Sequence, residues 1–153
     1  MNKNVNFRHI SEFNQPEQSP GYLLWRISTK WRALVEKALK EHDLTHPQFV
    51  VLASLAWLTQ DDKKVSQVDV GRMAGLDPNT TSQILRGLEK KKIIERTQSV
   101  DERSKNPAIT VEGRALFKSV LPAVEKVDTI FFDRLKDSEK NILTKYFKKL
   151  IAL

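Results

Sequence analysis

Asn79, Thr80, Ser82, Gln83 and Arg86 crowd two turns' worth of chain with short amides, hydroxyls and a guanidinium, groups that exchange hydrogen bonds with base edges and phosphate oxygens. The Gln83 amide can form a two-bond pair with adenine, and the Arg86 fork suits guanine or a phosphate. The stretch that carries them reads as a helix. Asp77 can accept from the free amides of a helix start, and Pro78 fits the first helical position, where its missing N–H has no partner to lose. The helical period of about 3.6 residues puts Thr81, Ile84, Leu85 and Leu88 on one face and Asn79, Ser82, Gln83, Arg86 and Lys90 on another. Solvated helix faces are usually rich in Glu and Lys, and the first two turns of this one are not. An ordinary surface helix would still account for the stretch taken alone, so its neighbours decide the matter.

Upstream, Ser66-Gln67-Val68-Asp69 has the hydroxyl and acid spacing of a capping box, with Val70, Met73 and Ala74 as the apolar side of a short helix. Gly75 ends that helix and can take the left-handed conformation, so the chain can turn steeply before Asp77. This is helix-turn-helix spacing. Downstream, the β-branched runs at residues 93–97 and 108–111 predict a hairpin across a loop at residues 99–107. A hairpin after such a helix makes a wing, and an Arg at its tip can enter a minor groove whose negative potential attracts guanidinium.

Together, Gly75-Leu76-Asp77, the run Leu88-Glu89-Lys90-Lys91-Lys92-Ile93-Ile94-Glu95-Arg96, the segment Asp101-Glu102-Arg103-Ser104-Lys105 and Thr110-Val111-Glu112-Gly113-Arg114 resemble the MarR family of bacterial transcription regulators. The resemblance implies a sequence-specific regulator of double-stranded DNA, a repressor released by a small aromatic or anionic effector. It also implies that Arg103 enters the minor groove while Asp101 supports the wing. Ser104 and Lys105 join Arg103 as wing contacts. Two positions depart from the family pattern, which usually has Gly where this chain has Lys92 and commonly Arg where it has Gln83. The first bears on the helix end and the second on base preference.

The remaining chain must position these groups. Its 153 residues and 40% hydrophobic content suit one subunit, and a net charge of +7 favours a polyanionic partner. There is no Cys, which excludes disulfides and thiol redox sensing and, with them, the peroxide-sensing branch of the family. No apolar run reaches the ~20 residues a bilayer span needs, and no secretory h-region is present, so no membrane partner and a cytoplasmic location are expected. Residues 1–20 read as an extended arm. Residues 22–42 predict a long helix with Leu24, Ile27, Trp31, Leu34, Val35 and Ala38 at spacings of three and four. Thr45-His46-Pro47-Gln48 caps the next helix, and a third short strand is expected near Val65. Beyond the wing, residues 112–135 keep one stripe at Leu116, Val120, Val124, Val127, Phe131 and Leu135, with a bend expected at Pro122. A final helix, capped by Asp137-Ser138-Glu139, carries Ile142, Leu143, Tyr146, Phe147, Leu150 and Ile151.

The expected fold is therefore mainly α with a small β-hairpin wing: a winged helix-turn-helix at about residues 45–111, flanked by long dimerisation helices at about 10–42 and 112–153. The surplus apolar stripes are most simply buried against a second copy about a two-fold axis. A homodimer would set two recognition helices ~34 Å apart on a pseudo-palindromic site. Ser66, Gln67 and Lys90 are expected at the DNA backbone, although lysines at a helix C-terminus also complement its dipole. Tyr22, Trp25, Trp31 and Trp57 are the candidate effector pocket, with Phe131 and Phe132 beside them; aromatics at helical spacing are more often core. His42 and His46 straddle a helix break, so no metal site is read, and no cofactor is implied. Nor does the chain carry a nucleophile elbow, a phosphate loop or an HExxH motif, so no enzyme is expected. The second reading is a winged-helix module that binds a protein partner or RNA.

Overall fold

The computed structural model describes residues 4–61, 63–98 and 105–152. After two exposed short helical turns in the arm come α1 (Pro20–Lys40), α2 (His46–Leu58), α3 (Gln67–Ala74), α4 (Pro78–Lys90), β1 (Ile94–Gln98), β2 (Lys105–Ile109), α5 (Val111–Phe132) and α6 (Asp137–Ile151). The mainly helical winged helix-turn-helix expected from the sequence is thus the architecture found.

The core forms around α2, which touches α1, α3, α4, α5 and β2. It has no polar face: Phe49, Val51, Leu52 and Leu55 are all buried, and a helix apolar all round belongs in the interior. Its start is fixed by the predicted box, the Gln48 amide donating to the Thr45 hydroxyl at 3.3 Å while Gln48 Oε1 accepts from Thr45 at 3.2 Å. Against α2 lie Val35 and Leu39 of α1, Val70 of α3, Leu85 and Leu88 of α4, and Val120 and Val124 of α5. Trp31 Nε1 donates to Asp128 Oδ1 at 2.7 Å, tying α1 to α5. By contrast, α6 buries no side chain within the subunit.

Several boundaries differ from the sequence reading. Among the described residues the sheet has two strands only, and no strand forms at Val65. Val65 fills the core singly, and Ser66 is already the N-cap of α3, which leaves no run of residues to pair. β2 begins at Lys105 and includes Pro107, opposite Arg96. A two-stranded ribbon leaves each strand one unpaired edge, so a residue without N–H is tolerated there. The strand stops at Ile109 because Thr110 caps α5, its hydroxyl accepting from Gly113 at 3.0 Å. As the sequence reading has it, Pro122 lies inside α5; its ring is exposed, where the lost backbone bond can be met by water. The N-cap of α6 is Lys136 rather than Asp137, with its N–H donating to Glu139 Oε2 at 2.8 Å.

The segment that follows α4 is held closely to the start of α5. After α4, Ile93 donates to the Leu88 carbonyl at 3.0 Å and Lys92 to Glu89 at 2.9 Å, the paired bonds of a Schellman ending. That ending places Lys92 at φ 58°, a left-handed conformation that favours Gly. The Thr110 hydroxyl lies 2.7 Å and 3.0 Å from the carbonyls of Lys92 and Ile93, and the Thr110 N–H donates to Ile93 at 3.1 Å. Gly113 sits so close beneath that a Cβ on it would lie 2.0 Å from the Ile93 carbonyl oxygen.

Gly113→Ala must push two backbones apart and is expected to cost about 2 kcal/mol or more. Lys92→Gly, by relieving a left-handed residue, should stabilise by about 1 kcal/mol. Urea denaturation of the two variants should therefore move the midpoint in opposite directions. Burial, chiefly, and the nearby Arg32 hold the buried His46 imidazole below its ordinary 6.5, against the raising pull of Glu36 and Asp128. With the folded value below the unfolded one, its neutral form stabilises above pH 6.5, and that contribution is lost as the pH falls through 6.5 towards the folded value. Denaturation at pH 7.5 and 5.5 should show this drop, and His46→Gln should make it smaller.

Candidate nucleic-acid interface

The geometry of α4 follows from its cap. The Thr80 N–H donates to Asp77 Oδ1 at 3.0 Å and the Thr80 hydroxyl to Oδ2 at 2.5 Å, bonds that hold the Asp77 carboxyl below the usual carboxylate range. α3 is capped in the same manner. The Ser66 hydroxyl donates to Asp69 Oδ2 at 2.7 Å and accepts from the Asp69 N–H at 3.2 Å, which lowers Asp69 as well. Gly75 closes α3 at φ 67°, as the turn requires. The two helices then pack through Gly71, where an added Cβ would meet Thr81 Oγ1 at 2.6 Å. Thr81 itself is 1% exposed, and its hydroxyl donates to the Asp77 carbonyl at 2.8 Å, so the inner face of α4 carries no unmet polar atom there.

The outward face divides into free and committed groups. Asn79 and Gln83 are exposed, and among the described residues their side-chain amides have no partner. Arg86 is exposed but folded back: Nε donates to the Ser82 carbonyl at 3.4 Å and Nη2 to the Ser82 hydroxyl at 3.2 Å. Thr80 and Ser82 are half-buried, the first committed to the cap and the second to Arg86. Ser66 is likewise half-buried and committed, whereas Gln67 begins α3 and Lys90 is exposed at the end of α4. Asn79, Gln83 and Arg86 are thus brought onto one solvent face as expected, with Thr80 and Ser82 serving that face mainly from within. Asp101, Arg103 and Ser104 lie outside the described residues; Lys105 is described only as the first residue of β2.

Two ties escaped sequence reasoning. Arg96 of β1, its side chain 10% exposed, donates from Nε at 3.0 Å and Nη2 at 2.5 Å to Glu89 Oε2, binding the hairpin to the back of α4. Lys91 reaches the end of α1, donating to the Asp43 carbonyl and pairing with its carboxylate at 3.1 Å. Their only advance signal was the basic run itself, which hides which lysine carries a tertiary contact.

The four aromatics read as an effector pocket do not form one cluster. Tyr22 accepts from Arg26 at 2.7 Å, Trp31 meets the edge of His46 at 5.1 Å between ring centres, and Trp25 and Trp57 are 68% and 60% exposed. Phe131 and Phe132 touch each other at 5.0 Å. Among the described residues there is no cluster of His, Cys, Asp and Glu that could hold a metal, and no helix is long and apolar enough to cross a membrane.

Comparison with known proteins agrees with this geometry. The family model for the transcriptional regulator SarA/Rot matches residues 33–120. Over 80% of this chain and 84% of its own length, the HTH-type transcriptional regulator YdcH of Bacillus subtilis is 38% identical. The HTH-type transcriptional repressor Rv2887 of Mycobacterium tuberculosis is 31% identical over 85% of this chain and 91% of its own length. The structure of Rv2887 in complex with p-aminosalicylic acid superposes with a TM-score of 0.65 at 31% identity, covering 86% of this chain and 98% of that one. CouR of Rhodococcus jostii, bound to p-coumaroyl-CoA, gives a TM-score of 0.80 at 25% identity over 90% and 95% of the two chains. With its capped helix pair, its wing and these likenesses, the chain belongs to the MarR family of DNA-binding, winged helix-turn-helix transcription regulators.

Proposed function

We propose that the protein is a homodimeric repressor that reads a pseudo-palindromic DNA site through α4 and the wing, and that a small-molecule effector releases it. The observation that carries the reading is the outward face of α4, where two partner-free amides and a guanidinium stand on a helix whose opposite face is fully packed. Protein-binding surfaces favour aromatic and aliphatic anchors at their centre, and this face has none.

Support for the dimer comes from apolar surface that the subunit leaves exposed. On α1 these residues include Leu24, Trp25 and Ile27, and on α6 Ile142, Tyr146 and Leu150. α6 has no buried residue of its own, so its apolar stripe has a use only against another chain. A two-fold pairing of these outer helices would hold two α4 helices at the ~34 Å spacing of successive major grooves. Release by an effector is supported by the ligand complexes of Rv2887 and CouR. Tyr22, Trp25, Trp31 and Trp57 lie on α1 and α2, where a partner subunit could complete a pocket around them.

Selection from random duplex DNA should return a two-fold-symmetric site; enrichment of no sequence would instead favour a protein or RNA partner. On the selected site, Gln83→Ala should cost about 1–3 kcal/mol and relax preference at one base pair of each half. Arg103→Ala should weaken binding and lower the salt slope by roughly one. A gel-shift titration at several salt concentrations measures both, and unchanged affinity and slope for Arg103→Ala would remove the wing from the interface.

A further inference from the structure

A cleft of about 670 Å³ lies where the end of α2, the connector to α3, the hairpin and the start of α5 meet. It is separate from the aromatics discussed above and takes no residue from α3 or α4. Its apolar wall includes Phe117, Ile109 and Pro107. Lys63, Lys64, Arg114 and Lys118 supply its charge, and among the described residues no carboxylate lines it.

These cations are not equally engaged. Lys63 pairs with the exposed Asp61 at 3.2 Å, and Arg114 is held in place by donating from Nη1 to the Ile109 carbonyl at 2.7 Å. Lys64 and Lys118 have no partner among the described residues. Arg114 and Lys118 stand four residues apart on one face of α5, so the cleft gathers like charges that repel one another until an anion enters. More than one uncompensated cation asks for more than one negative charge, and the apolar wall asks for a flat or apolar body. The volume falls within the ~300–1,000 Å³ typical of small-ligand sites.

We propose that this cleft binds a small amphipathic polyanion, a phosphate-rich molecule with an aromatic or apolar part, held by Lys64, Arg114 and Lys118 against Phe117. This goes beyond operator binding and does not depend on it. Since both hairpin strands contribute to the wall, the occupant also braces the wing against α2.

Isothermal titration of the full chain with ADP tests the proposal, with inorganic pyrophosphate and adenosine as its two halves. ADP should saturate at one per chain, pyrophosphate should bind more weakly and adenosine more weakly still. The double variant Lys64→Ala/Lys118→Ala, with its helical circular dichroism unchanged, should bind ADP at least tenfold more weakly. No saturable binding of ADP or pyrophosphate, or equal affinity in the double variant, overturns the proposal. So does loss of operator affinity by that variant without ADP together with a salt slope reduced by about two, because the lysines would then serve duplex phosphates. A wild-type chain that shifts no duplex yet binds ADP through these lysines would refute the operator reading and support the cleft.

Discussion

The hairpin and the start of α5 are set against one another by one backbone contact, the seating of Gly113 under the Ile93 carbonyl. The chain leaves α4 through a left-handed residue and returns from the hairpin so that the first turn of α5 lies against Ile93, just beyond the end of α4. The Thr110 hydroxyl closes the joint by serving both helices at once, accepting from the start of α5 and facing the carbonyls that end α4. No side chain larger than hydrogen fits at Gly113 without moving one of the two segments it joins. The angle between them is therefore a property of packed backbone, and interiors packed this closely shift between discrete arrangements rather than deform smoothly.

The polar residues of the helix pair serve different ends. Asp77, Thr80, Ser66 and Asp69 saturate one another at the helix starts, which fixes where each helix begins. Behind α4, the Arg96 and Glu89 pair anchors the hairpin to the same helix whose end Lys91 ties to α1. Such pairs contribute modestly to stability when exposed, but the Arg96 side chain is nearly buried and gives the hairpin a defined bearing. On the first turns of α4, what remains outward is a small set, the Asn79 and Gln83 amides and the Arg86 guanidinium.

Much of this was legible in the sequence because it depends on local rules. The capping boxes at Thr45 and Ser66, the cap at Asp77 and the left-handed Gly75 are settled by neighbours within a turn or two, and each appears where the pattern put it, whereas the stripe expected to run to Leu135 outlasts α5, which ends at Phe132. Strand limits were less legible, since Pro107 looked like a boundary until the free edge of a two-stranded ribbon accepted it. The strand expected at Val65 failed because one buried side chain can mimic the signal of a run. The bonds that Thr80 and Ser82 make within their own helix were not legible either. A hydroxyl's residue type says that it will bond, and only the fold says whether to its own helix or outward. Least legible were Arg96, Lys91 and the cationic cleft, whose members are separated by up to 55 positions between Lys63 and Lys118 and show no period.

The Arg86 side chain rests in a closed posture, its fork looped over Ser82. Both bonds are long and exposed to solvent, so an outside acceptor can draw the guanidinium away at small cost, and the side chain stays parked on its own helix until one arrives.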